Sequence, residues 1–202
     1  DSKWITNEKS RQLVHKLRSE MMGIITGIGT VNADDPMLNC RMDNHLPIAN
    51  SQQLTANIHQ PIRIIVDTRA SISLESQIVK TAKDYRTILA IGNLTANNHQ
   101  PMANVQKSTV DKLKSFNIEI LCCEEKDGHV DINDLMMRLG VMGIDSLLLE
   151  GGATINAAFL EANCVDEVYA FVAPKIIGGT NSKSPVAGKG IDLMKDAIML
   201  TD

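Results

Sequence analysis

No run of about 18 apolar residues that could span a bilayer occurs in the chain, and its opening DSKWITNEKS lacks the pattern of a secretory signal. We therefore expect a soluble, cytoplasmic protein. No stretch is dense in Lys or Arg. Twenty basic against twenty-four acidic residues leave a net charge of -4, which excludes the electrostatic footprint of a nucleic-acid binder. Cysteine is scarce: Cys40, Cys122, Cys123 and Cys164 include no C-x-x-C pair, and the adjacent Cys122 and Cys123 cannot comfortably bridge each other. Reduced, structural thiols follow. The five histidines, His15, His45, His59, His99 and His129, form no H-E-x-x-H or clustered spacing, so no metal is predicted.

What is present is 44% hydrophobic residues in a 202-residue chain, ordinary for one globular domain with a single substantial core. Thr6 or Asn7 can cap a first helix in which Leu13, Val14, Leu17 and Met21 share one face. IITGIGTV at 24–31 reads as a buried strand, as do PIRIIVDT at 61–68, RTILAIG at 86–92 and IEILCC at 118–123. A helix is expected over 108–116, and Asp131 caps another that carries Leu135, Met136, Leu139 and Met142 and ends at Gly143. LLLEGGATINAAFL at 147–160 is a strand followed by a helix, and VDEVYAFVAP at 165–174 is the last expected strand. The polar stretches 43–60 and 93–106, and the segment from Ile176 to Gly190, read as loops. Alternating strands and helices predict an α/β fold with a mostly parallel sheet.

Ligands of such sheets gather beyond the carboxyl ends of the strands, which picks out Thr30, Asp34, Thr68 and Glu150 to Thr154. EGGAT matches neither G-x-G-x-x-G nor the P-loop, so on its own it is a tight strand-to-helix connection or a phosphate cradle in equal measure. Glu150 ends an apolar run, where a carboxylate is costly without a partner. Thr68 and Arg69 suit the 2′-phosphate of NADP, although a capped strand end explains them equally well. In GTVNADDPML, Asp35 before Pro36 is expected to be extended, leaving Asp34 as the freer carboxylate.

Five motifs in order carry a resemblance: DSKWIT at 1–6, G-x-G-T-V-x-A-D-D-P-x-L at 27–38, PIRIIVDT, EGGAT and VAPKIIGG at 172–179. Together they closely resemble the reductase domain of the bifunctional riboflavin biosynthesis deaminase/reductase. The resemblance implies a dihydrofolate-reductase-like fold over residues 1–202, flanked by helices, that uses NADPH. It implies reduction of 5-amino-6-(5-phosphoribosylamino)uracil to its ribitylamino product.

By the same resemblance Ser2, Arg18, Leu38, Arg41 and Glu150 meet the substrate, while Trp4, Thr30, Asp34 and Thr68 meet the cofactor. Gly152, Ala153, Thr154, Ile155, Asn156, Ala157 and Ala158 form its pyrophosphate loop. A homo-oligomer and fusion to a zinc deaminase in the full-length protein are further implications. Measured against the family pattern, the first and last strands of the reductase domain and the deaminase half are expected to lie outside this segment. Hydride would pass to C1′ of the ring-opened substrate, with Asp34 positioning the ribose chain or moving a proton. The alternatives are a reductase of a related diaminopyrimidinone or pterin, and a non-catalytic nucleotide-binding or assembly module of the same fold.

Overall fold

Asn7 accepts the Ser10 N–H at 2.9 Å and starts α1 (Glu8–Glu20). The structure, a computed structural model, describes residues 7–41, 59–92, 104–176, 178–179 and 184–200. Of the face expected on α1, Leu17 is buried and Leu13 is exposed.

Among the described residues five parallel strands make the sheet, in the order β4-β3-β2-β1-β7. They are β1 (Gly23–Gly27), β2 (Ile62–Val66), β3 (Thr87–Gly92), β4 (Ile118–Cys123) and β7 (Leu147–Leu149). Successive residues point to opposite faces, and both faces are apolar, as an all-parallel sheet covered on two sides requires. Ile24, Ile65 and Leu89 pack on one face with Val110 and Leu113 of α4 (Asn104–Ser115) and with Ile78 and Val79 of α3 (Gln77–Lys80). Ile25, Ile64 and Ile88 pack on the other with Leu135 and Leu139 of α5 (Ile132–Val141) and Phe159 of α6 (Ala153–Glu161). Each fully buried Ile or Leu contributes about 1.5–3 kcal/mol.

Asp131 caps α5 by accepting the Asn133 N–H, and Gly143 beyond its end has φ +75°, both as the sequence predicts. Other expectations need correction. The strand expected over 24–31 ends at Gly27, and α2 (Ile28–Asp34) follows at once, burying Val31 against the sheet. Asp35 is left-handed (φ 41°, ψ 55°) rather than extended, because it closes α2 and accepts the Gln77 N–H on its carboxylate at 2.8 Å. The α4 helix begins at Asn104, four residues before the expected start, so residues 104–106 are helical instead of loop. Residues 165–174 pair with no strand among the described residues, and Val168, Tyr169, Phe171 and Val172 stand exposed. A β-branched, aromatic composition supplies strand propensity but not a ladder partner. Also not anticipated are the short α3 and a hairpin of β5 (Glu125–Lys126) and β6 (His129–Val130) turned by Asp127-Gly128.

Candidate active site

The strand order reverses at β1, which lies between β2 and β7. Such a switch point opens a crevice at the carboxyl ends of its strands. Here a cleft of about 1060 Å³ opens, with Gly27 at the end of β1, Val66 and Thr68 at the end of β2, and Gly151 and Gly152 after β7. Its walls are the start of α2, the first two turns of α6, the Lys126–His129 hairpin and the segment around Ser184–Ala187.

Backbone geometry at the two glycines builds the anion-ready end. The N-cap of α6 is Gly152, with no side chain capping the helix. The N–H groups of its first turn, unpaired within the helix, therefore carry the positive end of the helix dipole into the cleft. Thr30 Oγ1 accepts the Gly152 N–H at 3.1 Å and ties α2 to this turn. A Cβ on Gly152 would meet only Thr30 Oγ1 at 3.6 Å, whereas one on Gly151 would fall 2.1 Å from Ile155 Cγ2. Gly151 is thus required by packing, and Gly152 leaves its backbone open to a ligand. Both features fit a dinucleotide pyrophosphate.

Beside this cleft stands a bidentate ion pair. Arg18 Nε donates to Glu150 Oε1 at 2.7 Å and Nη2 to Oε2 at 2.5 Å, while Nη1 donates to the Asn39 carbonyl at 3.0 Å. The side chains are only 14% and 22% exposed, so the pair is shielded. Glu150 has the partner its position demanded. Its backbone is fixed as well: the Glu150 N–H donates to the Ile25 carbonyl at 3.0 Å and Thr26 Oγ1 donates to the Glu150 carbonyl at 2.8 Å.

The structure distributes the expected site residues unevenly. Thr30, Asp34, Thr68, Gly152, Ala153, Thr154, Ile155, Asn156 and Ala158 line the cleft. Ala157 is buried and faces Gly188 instead. Thr68 Oγ1 accepts the Val130 N–H at 3.1 Å, and Arg69 pairs with Glu125 at 3.5 Å. Leu38 buries its side chain in the core with a left-handed φ of 47°, leaving its backbone as what it can offer a ligand. Arg41 is exposed. Ser2 and Trp4 lie outside the described residues.

Sequence reasoning missed four contributors. Asp127-Gly128, a strong hairpin signal, could have located Lys126 and His129 at the cleft wall. The Ser184–Ala187 segment reaches α6 through the Ala187 N–H to the Ala153 carbonyl and Asn156 Nδ2 to the Pro185 carbonyl, both at 3.0 Å. Asn39 is buried, with no partner for Oδ1 among the described residues. Arg63 is wholly buried within β2, where it donates to the Met37, Ile78 and Tyr85 carbonyls and to the hydroxyls of Thr81 and Thr87. Burial lowers its pKa to about 10, so it stays charged at neutral pH. Burial pushes the Cys123 thiol up to about 12 and raises that of Cys40, which makes both inert.

A parallel sheet with an open, glycine-floored cleft at its switch point defines an α/β ligand-binding domain. The family model described as the RibD C-terminal domain matches residues 1–201, and the chain belongs to that family. It is 38% identical over 200 residues to the riboflavin biosynthesis protein RibD of Actinobacillus pleuropneumoniae, covering 99% of this chain and 47% of that protein. It is 32% identical over 196 residues to the 2,5-diamino-6-ribosylamino-4(3H)-pyrimidinone 5′-phosphate reductase of Methanothermobacter thermautotrophicus, covering 97% of this chain and 79% of that one. A solved structure of Acinetobacter baumannii RibD superposes with a TM-score of 0.72 at 26% identity, over 98% of this chain and 47% of that chain. The chain thus spans about half the length of the RibD proteins it matches.

Proposed function

We propose that this domain reduces 5-amino-6-(5-phosphoribosylamino)uracil to 5-amino-6-(5-phosphoribitylamino)uracil with NADPH, as a step of riboflavin biosynthesis. The observation that carries the reading is the uncapped α6 terminus over Gly152, set beside the Arg18–Glu150 pair. An anion site for a dinucleotide and a fixed carboxylate for a polar ring are adjacent. Membership of a reductase family supports the rest.

NADPH, when bound, supplies the hydride. The first-turn N–H groups of α6 would hold its pyrophosphate, with Thr30 keeping that turn in place. Thr68, lining the cleft at the end of β2, would meet its adenosine end. Glu150, oriented by Arg18, accepts N–H groups of the pyrimidine ring. Arg41 takes the substrate phosphate. Reduction of the ring-opened imine adds hydride to C1′ and a proton to the nitrogen. Asp34, exposed at the end of α2 and lining the cleft, orients the ribose chain and conducts that proton.

In the intact protein we place a zinc deaminase half beside this domain, consistent with the half-length match to RibD, and a homo-oligomer in the cytoplasm. A second reading has its own support. The Methanothermobacter relative, 79% of which this chain covers, is named for a diaminopyrimidinone phosphate.

The test is absorbance loss of NADPH in the intact protein with each pyrimidine in parallel. Oxidation with the uracil, slower with NADH, is the expected result. Oxidation with the diaminopyrimidinone alone would establish the second reading. A folded protein that binds NADPH and oxidises it with neither would overturn both.

A further inference from the structure

The segment from Asp35 to Arg41 is held at nearly every residue. Asp35 accepts from Gln77 N at 2.8 Å, the Met37 carbonyl accepts from Arg63 at 3.3 Å, and the Asn39 carbonyl accepts from Arg18 at 3.0 Å. Asn39 Nδ2 donates to the Tyr85 hydroxyl at 3.2 Å. Cys40 exchanges two bonds with the Gln60 amide, both at 3.0 Å. Within it Leu38, a buried leucine at φ 47°, occupies a conformation that persists only where surroundings over-determine it. A loop braced this heavily positions something.

Its last described residue is Arg41. Each nitrogen of the Arg18 guanidinium already has an acceptor, in Glu150 or Asn39. Arg41 is exposed, and its guanidinium meets no carboxylate among the described residues. The phosphate role therefore suits Arg41 better than Arg18. What sets the place of Arg41 is His15, one turn before Arg18 on α1. His15 Nδ1 accepts the Arg41 N–H at 3.2 Å, and the His15 carbonyl accepts from Cys40 Sγ at 3.2 Å. An Nδ1 that accepts is unprotonated, which sets the proton of the neutral ring on Nε2.

We propose that His15 is a positioning residue for phosphate recognition: its Nδ1 clamps the Arg41 backbone to α1 so that the Arg41 guanidinium reaches the terminal phosphate of the substrate. This rests on the reductase reading. No substrate contact by His15 is needed. Arg18 then serves Glu150 at the ring end, and α1 serves both ends of the substrate through residues one turn apart.

Calorimetric titration of the intact protein with the ribitylamino product and with its dephosphorylated form separates these roles. Arg41→Ala is expected to weaken the phosphorylated ligand about tenfold or more, as loss of a charge-assisted contact does, and to leave the dephosphorylated one unchanged. His15→Leu and His15→Gln are expected to show the same selectivity at roughly fivefold, about the value of one hydrogen bond. His15→Asn is expected to restore affinity, since its Oδ1 lies where Nδ1 does. The glutamine amide reaches instead toward the Nε2 position. Equal weakening of both ligands, or no restoration by asparagine, would overturn the clamp and leave His15 a merely structural residue. Wild-type protein that binds neither ligand would overturn the reductase reading and the clamp with it.

Discussion

A methyl group at Gly151 and one at Gly152 should behave differently, although the two residues are neighbours. At Gly151 it would fall 2.1 Å from Cγ2 of Ile155, a β-branched side chain with little rotamer freedom in a helix. Gly151→Ala must therefore displace the start of α6, with an expected loss of about 1–3 kcal/mol of stability together with NADPH affinity. Gly152→Ala meets only Thr30 Oγ1 at 3.6 Å, so stability should hold while the methyl obstructs the ligand. Urea unfolding and fluorescence titration with NADPH, run on both variants, check the contrast. At this scale the sequence was legible where a residue acts through its own type. Glu150 announced a need for a partner and Asp131 a cap. The partner itself was not legible, because Arg18 lies 132 residues away and only the folding of the chain brings them together. Arg63 was read as part of a strand, and its five acceptors are set by chain folding rather than by spacing.

At the scale of elements, α5 is joined to the turn after β4 by one carboxylate. Asp134 Oδ2 accepts the Glu124 N–H at 2.8 Å and Arg138 Nε at 2.6 Å. The Arg138 hydrogen bond holds the Asp134 carboxyl below its ordinary range. Its folded pKa being depressed, the stabilisation is present above the unfolded value of about 4 and is lost as pH falls through the folded one. Solvent screens this partly exposed pair, so Asp134→Asn is expected to cost about 1 kcal/mol at neutral pH and to flatten that acid-side slope. Urea unfolding at a series of pH values measures both. Elements whose ends carry caps or alternating apolar residues were legible, as with α1, α5 and β2. The β1–α2 junction was not: IITGIGTV is β-branched at every residue but its two glycines, and burial of Val31 from a helix satisfies the same residue as burial from a strand. The 165–174 stretch failed for the opposite reason, since propensity was read where no strand edge among the described residues takes it up.

Over the whole molecule, burial is concentrated around the sheet, and many of the described residues after α6 are exposed. Val172, Ile176 and Met194 are 92%, 101% and 90% exposed. Backbone amides of the described residues between 166 and 200 are expected to exchange with solvent within the fastest class, with Ala187 protected by the Ala153 carbonyl. NADPH should slow exchange around Ser184–Ala187 and leave 190–200 unchanged. Hydrogen-exchange mass spectrometry of the intact protein reads this directly, and equal exchange with and without NADPH would remove that segment from the cofactor wall. The parallel sheet has one more effect, on synthesis. Thr26 and Glu150, whose contact joins β1 to the cleft, are 124 residues apart in the chain. A ribosome adding about 5–20 residues per second needs on the order of ten seconds to cover that distance. For that interval the nascent chain holds a glycine-ended β1 without β7, and Gly151 and Gly152 join the cleft only once β7 has been made.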